Sequence, residues 1–236
     1  MFTTILVQPI YNVFIFILGF MPGGDVGLAI IFLTVIVRAI FYPVFTSQIR
    51  TQMALQVVQP ELDELKEKYK DNPQELVRRQ GELFKKHRIR LSSMLGSAIL
   101  QIIIFLALSS IFYRLKLPAI RTDLLYSFVH APAIVSPSFF GLLNLATTHH
   151  YVLAALVAVS QYVVMRLSLQ RTTSNTSKMS DAQLAAHQMQ RQMMIYMFPA
   201  AMAAASYFPA GAVGLYLLTS NLISLGQEWL IRRKPL

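Results

Sequence analysis

Apolar side chains dominate six stretches of the sequence, and one abrupt polar block between residues 50 and 90 divides the first two from the rest. Within residues 2–20, Val7, Ile10, Tyr11, Phe14, Ile17 and Leu18 recur at helical spacing, interrupted by Gln8, Pro9 and Asn12 and ended by Pro22, Gly23 and Gly24. Region 1–24 therefore predicts a helix lying in the membrane interface or a poor span. The run from Val26 to Phe45 is cleaner and long enough to cross a hydrocarbon core of about 30 Å, so region 25–49 is expected to hold the first transmembrane helix.

The polar block reads as a helical hairpin over 50–90. Val58, Leu62, Leu65 and Tyr69 form one helical stripe, and Glu64 and Lys68 stand at i, i+4. Asp71, Asn72 and Pro73 break that helix. Asn72 suits an N-cap, Pro73 the first helical position and Glu75 the third, which predicts a second helix from Pro73 to His87. Leu91 to Tyr113 is the second span, in region 91–114. Region 115–149 is apolar, proline-bearing and aperiodic, and is expected to hug the outer membrane surface. His150 to Leu169 is the third span, region 170–191 a polar Ser, Thr, Gln and Asn rich loop, and region 192–231 two further spans joined by Pro209, Ala210 and Gly211. Residues 232–236 form a basic tail.

Composition supports lipid as the main solvent. The chain of 236 residues is 55% hydrophobic and 14% charged, with mean hydropathy +0.50, outside the balance of soluble domains. The length leaves no room for a separate soluble enzyme domain beside the spans. Net charge is +10, and ten of the 21 Lys and Arg lie between Arg50 and Arg90. Further clusters fall between Arg166 and Arg191 and at Arg232, Arg233 and Lys234, so these three regions are expected on the cytoplasmic side. The order then gives five crossings, with the N-terminus outside and the C-terminus inside. A basic face of this kind is first a solvated, topology-setting face, and second a surface for anionic lipid or ribosomal RNA. Without cysteine there is neither a disulfide framework nor a thiolate metal site. No Lys or Arg precedes Arg38, so a cleaved signal peptide is not expected.

Arg38 is the residue that asks for chemistry. It lies 12 positions before Arg50, about 18 Å along a straight helix, too deep for simple snorkelling. None of the expected spans holds an interior Asp or Glu, since Asp25 and Glu228 sit near span ends. A buried ion pair and a carboxylate proton relay are therefore not expected. The remaining intramembrane polar residues are neutral: Thr34, Gln101, Ser109, Gln161, Ser206, Thr219, Ser220 and Asn221. Converging on Arg38, they would build a hydrated, electropositive cavity. Taken singly, each is equally explained by an interhelical hydrogen bond, and Arg38 by a bond to a carbonyl that locks packing. His149 and His150 lack further ligands for a metal, and no nucleophile motif or glycine-rich phosphate loop occurs. Among eleven methionines, Met179, Met189, Met193, Met194 and Met197 cluster near an inner loop, where an adaptable apolar surface competes with ordinary packing. No metal, no cofactor and no specific nucleic acid is called for.

The order of these features resembles the YidC/Oxa/Alb family of membrane protein insertases from about residue 8 to 231. The resemblance rests on Gly27, Thr34, Arg38 and Pro43, then Met53, Gln59, Pro60 and Glu61, then Lys68, Tyr69 and Lys70, and Gln101. Further along come Met197, Pro199, Phe208, Pro209, Gly211, Leu215, Tyr216, Thr219, Ser220, Asn221 and Gln227. It implies an all-α integral membrane protein with five transmembrane helices around a hydrophilic groove, plus an N-terminal interfacial helix and a cytoplasmic helical hairpin. It implies a non-enzymatic insertase and chaperone of a bacterial plasma membrane. Arg38, with Tyr216 among the groove residues, would receive the outer segment of a newly synthesised membrane protein. Recruitment would fall to Glu61, Lys68, Tyr69 and Lys70 on the hairpin. The ribosome, a Sec-type channel and membrane lipids are the implied partners. The chain departs from the family at Arg90 and Leu91, where Asn-Pro is frequent, at Ile103 in place of proline, and at Leu217 in place of tryptophan. A small-solute transporter or channel, or a structural assembly subunit, is the competing reading.

Overall fold

The computed structural model describes residues 7–113, 119–169, 181–208 and 210–233. Its described secondary structure is helical apart from one hairpin of two-residue strands. Helix α1 (Gln8–Gly19) is followed by α2 (Val26–Ile40), α3 (Tyr42–Lys68), α4 (Pro73–Lys86) and α5 (Leu91–Tyr113). Strands β1 (Ser138–Phe139) and β2 (Leu143–Asn144) pair antiparallel in the loop after α5. Then come α6 (Tyr151–Leu169), α7 (Asp181–Gln192), a π-helical turn at Met193–Met197, α8 (Phe198–Tyr207) and α9 (Gly211–Arg233). Helix α9 is central and packs on α2, α5, α6 and α8.

Two helices, Leu91–Phe112 and Tyr151–Ser168, are long and apolar enough to cross a membrane unaided, and α2 with α3 counts as a third, broken span. Among the described residues, length and composition alone thus single out two helices, or three with the bent pair, and the other two expected spans fall below that criterion. The reason lies in the helices that fail: the apolar run Met193–Tyr207 is short, and α9 carries Thr219, Ser220, Asn221, Ser224, Gln227 and Glu228.

The first span is not the straight run to Phe45 that its apolarity predicts. Helix α2 stops at Ile40, and α3 departs at 73°. Pro43 has no N–H to donate and suits the first turn of a new helix, so the chain turns at Phe41, whose N–H still reaches Val37 O at 2.9 Å. The helix that carries the first arm of the expected hairpin, α3, consequently starts at Tyr42. The second helix of the hairpin starts where Asn72 accepts from Glu75 N–H at 3.2 Å. The Glu75 carboxylate turns instead to Arg78 and Arg79, and these hydrogen bonds hold it below the usual carboxylate range. Val58, Leu62, Leu83 and Ile89 close a small second core between α3 and α4. Residues 170–191, expected to be a loop, include helix α7; positions 170–180, and Pro209 of the expected turn, lie outside the described residues.

Helix α1 is packed, not merely laid flat. Its twelve residues reach about 18 Å, and Tyr11, Phe14, Ile15 and Leu18 are fully buried against α2 and α5. The loop after α5 covers this end of the bundle, with Val129 and Leu145 in the main core. Its attachment is polar. The Asn12 amide donates to Leu124 O and Gln8 O, each at 2.9 Å, and its oxygen accepts from Tyr126 N–H at 2.7 Å. Gln8 donates to Leu124 O at 3.1 Å, and Asp25 caps α2 at Leu28 N–H while accepting from Phe140 N–H. Asn12 is 2% exposed, so Asn12→Leu strands the Tyr126 N–H inside the core. The expected cost is about 3 kcal/mol, a loss of about 8 °C in melting temperature at this size. A shift under 2 °C in a detergent melt would show that water replaces the amide.

Candidate functional site

Arg38 belongs to the last turn of α2, two residues before the helix ends, and its charge complements the helix C-terminus. Because the chain bends at Phe41, the axial distance to Arg50 computed for a straight helix does not apply, and the depth argued from that distance is corrected. Arg38 is nonetheless only 8% exposed. Its Nη2 donates to Ser220 Oγ at 2.6 Å and Ser220 O at 3.0 Å, and its Nη1 to Gln227 Oε1 at 3.2 Å. The guanidinium lies over the Phe45 ring, 4.1 Å from its centroid. Arg38 therefore ties α2, the start of α3 and α9 together. All of its hydrogen-bond acceptors among the described residues are neutral. Two of its five N–H groups have no acceptor there.

Ser220 extends the polar path across the bundle, since its hydroxyl donates to Gln101 Oε1 on α5 at 3.5 Å while accepting from Arg38. Further along α9, Asn221 donates to Ser160 Oγ on α6 at 3.0 Å, beside Gln161, which is 7% exposed. These groups form a seam along α9 with branches to α2, α5 and α6. The other expected members are placed differently. Thr34 and Thr219 donate to their own helices, to Ile30 O at 2.7 Å and Leu215 O at 2.8 Å, and Ser206 does the same to Ala203 O. Tyr216 is buried at 2% exposure, and the Ser109 hydroxyl is buried without a partner. Arg38, Gln227, Ser220 and Gln101, and beside them Asn221 and Ser160, thus form a seam of side-chain hydrogen bonds, while Thr34, Ser206 and Thr219 bond their own helices.

Gln227, Phe45 and Ser160 join the site without being among its expected members. A signal for Gln227 existed: Ser220, Ser224 and Gln227 follow i, i+4, i+7 spacing on one face of α9. Phe45 had none, because its approach depends on the bend. Glu228, at 6% exposure, is a buried carboxylate near the C-terminal end of α9.

The four hairpin residues lie elsewhere. Lys68 is 23 positions beyond Phe45 on α3, about 35 Å along the helix. Its ammonium sits 5.5 Å from the Tyr69 ring centroid, Lys70 is exposed, and Glu61 Oε1 is 3.7 Å from His87 Nε2. Met189, Met193, Met194 and Met197 are all exposed on α7 and the π turn, which favours the adaptable-surface reading over packing. Met179 lies outside the described residues. His150 pairs with Thr147 and His149 with Thr148, and among the described residues no cluster suits a metal ion.

A helical bundle with apolar spans and a buried, electropositive seam defines a multi-span membrane protein. The chain belongs to the 60Kd inner membrane protein family, also called YidC/Oxa1, whose model matches residues 17–235. It is 29% identical over 228 residues to the membrane protein insertase YidC of Haemophilus influenzae strain PittEE, covering 96% of this chain and 36% of that protein. It is 27% identical over 228 residues to the YidC of Haemophilus ducreyi, covering 96% of this chain and 37% of that protein. With the YidC of Francisella tularensis subsp. novicida the identity is 29% over 210 residues, 89% of this chain and 33% of that protein. The chain thus spans about a third of the length of these relatives. Family and apolar helices together make it an inner membrane protein, and the relatives above are named for membrane insertion.

Proposed function

We propose that this chain is a membrane protein insertase and chaperone that passes the outer segments of newly made membrane proteins through its polar seam, without nucleotide hydrolysis. The observation that carries the reading is Arg38, a cation 8% exposed and held by neutral groups. A client carboxylate would exchange the neutral Ser220 and Gln227 acceptors for a charge-assisted pair, roughly twice as strong. The gain offsets part of the cost of bringing that carboxylate out of water. Neutral acceptors also release it again, which an internal ion pair would hinder. A proton-coupled transporter would instead need carboxylates along the seam, and the described seam has amides and hydroxyls.

On this reading α2, α5, α6, α8 with its π turn, and α9 are the five spans, with the N-terminus outside and the C-terminus cytoplasmic. The α3–α4 hairpin is cytoplasmic and recruits clients through Glu61, Lys68, Tyr69 and Lys70. The ribosome and a Sec-type channel deliver clients, and the exposed methionines at the end of α7 and in the π turn take their apolar segments. The test places a photo-crosslinking residue at Gln101, half-buried on α5 beside Ser220, and a second at Ile102, exposed about 100° further round the helix. During translation of a short-tailed single-span client, adducts are expected at position 101 in excess of 102. No adduct at 101, or equal adducts at both, overturns the reading.

A further inference from the structure

A cleft of about 890 Å³ opens between the start of α3 and the short connection from α4 to α5, a size typical of ligand pockets, about 300–1,000 Å³. Arg50, His87, Arg88 and Arg90 supply its polar wall, Pro43, Met53 and Val57 its apolar one, and its described lining includes no Asp or Glu. None of the three arginines has an ion-pair partner among the described residues. Two polar atoms of the lining lack hydrogen-bond partners although they are buried: Thr46 Oγ1, on a residue 9% exposed, and His87 Nε2. The Glu61 carboxylate is 3.7 Å from that nitrogen, beyond hydrogen-bond distance and outside the cleft lining. Arg88 is held at φ 53°, a left-handed conformation that costs an arginine free energy and turns its side chain's attachment out of the helical path.

The position of the cleft selects its occupant. Arg90 immediately precedes the apolar span α5, and Tyr42 opens α3 one residue after the end of α2, so the cleft stands where apolar helix surface gives way to charged surface. Ile40, Phe41, Tyr42 and Leu91 around it are exposed large hydrophobics, which fit acyl chains. An anion with an apolar tail meets both walls; a free anion meets one.

We propose that this cleft binds one anionic phospholipid, its phosphate among Arg50, Arg88 and Arg90 with the Thr46 hydroxyl as a donor, and its first methylenes on Pro43, Met53 and Val57. The lipid braces the base of the α3–α4 hairpin against the membrane. This inference rests on membrane embedding and stands or falls separately from the insertase reading.

The test is native mass spectrometry of the purified full chain in detergent, titrated with phosphatidylglycerol, with phosphatidylcholine of the same acyl chains, and with glycerol 3-phosphate. One phosphatidylglycerol is expected to be retained in preference to the other two. Arg90→Gln and Arg88→Gly are each expected to weaken it about fivefold, and together about 25-fold. Arg88→Gly should leave the melting temperature of lipid-free protein unchanged or higher, because glycine suits φ 53°. Thr46→Val should weaken retention without changing charge. Equal retention of phosphatidylcholine, full retention by the double variant, or equal affinity for glycerol 3-phosphate each overturns the proposal.

Discussion

Arg38→Ala is expected to reduce insertion of a single-span client with an acidic outer segment by roughly a hundredfold in proteoliposomes. A client with a neutral segment of equal length should lose less than about fivefold, since only the charged one draws on the cation. The estimate follows from a unit charge pair at about 4 Å, worth about 4 kcal/mol at an effective dielectric constant of 20, less the seam bonds given up. Arg38→Lys should keep part of the activity. An ammonium keeps the charge but cannot reach Ser220 and Gln227 together, nor stack on Phe45 as the planar guanidinium does. The alternative is visible in the same geometry: the bond to the Ser220 carbonyl could simply lock α2 to α9. In that case both client types decline together with the melting temperature. That outcome removes the receiving role from Arg38.

Gly24→Ala carries the largest expected effect on stability. Gly24 stands between α1 and α2 at φ +65°, and a Cβ there would come within 2.1 Å of Ile134 O and 2.7 Å of Ile134 C. Both atoms are backbone, so no rotamer change can relieve the clash. The segment 134–136 must move, and with it the bonds from Ser136 N–H to Gly24 O at 2.9 Å and from Val26 N–H to Ser136 O at 3.1 Å. The left-handed conformation costs about 1–2 kcal/mol by itself and the displaced bonds about 1 kcal/mol each, giving about 3–5 kcal/mol and a loss of about 10–15 °C. Gly23→Ala is the matched comparison. Gly23 has φ +66° but no atom within 4 Å of its Cβ position, so it should show the conformational cost alone. Equal melting temperatures for the two variants would deny that the loop after α5 is pressed onto the start of α2.

Much of this was legible in one dimension. The apolar run Leu91–Tyr113 and the block of charge between Arg50 and Arg90 announce themselves because membrane burial and positive-inside topology act on composition and spacing. The Asn72 cap is local in the same way: donor and acceptor are three residues apart. The membership of Arg38, Ser220, Gln101 and Asn221 in one site could be inferred because intramembrane polar groups must find partners. The bend at Phe41 was not legible, even though Pro43 was in view. A proline near a helix end marks equally well the first turn of a new helix or a tolerated kink.

The sequence by itself determined the solvent, the helical class, the family and the presence of an arginine in an apolar run where the interiors of the expected spans hold no Asp or Glu. Each of those follows from residue type and near-neighbour spacing. Only the tertiary structure decided what Arg38 touches. Its partners Phe45, Ser220 and Gln227 become neighbours through a 73° turn and the packing of α9 on α2. The orphaned Thr46 hydroxyl is of the same kind, since burial without a partner is a property of the assembled surroundings and has no signature in the chain.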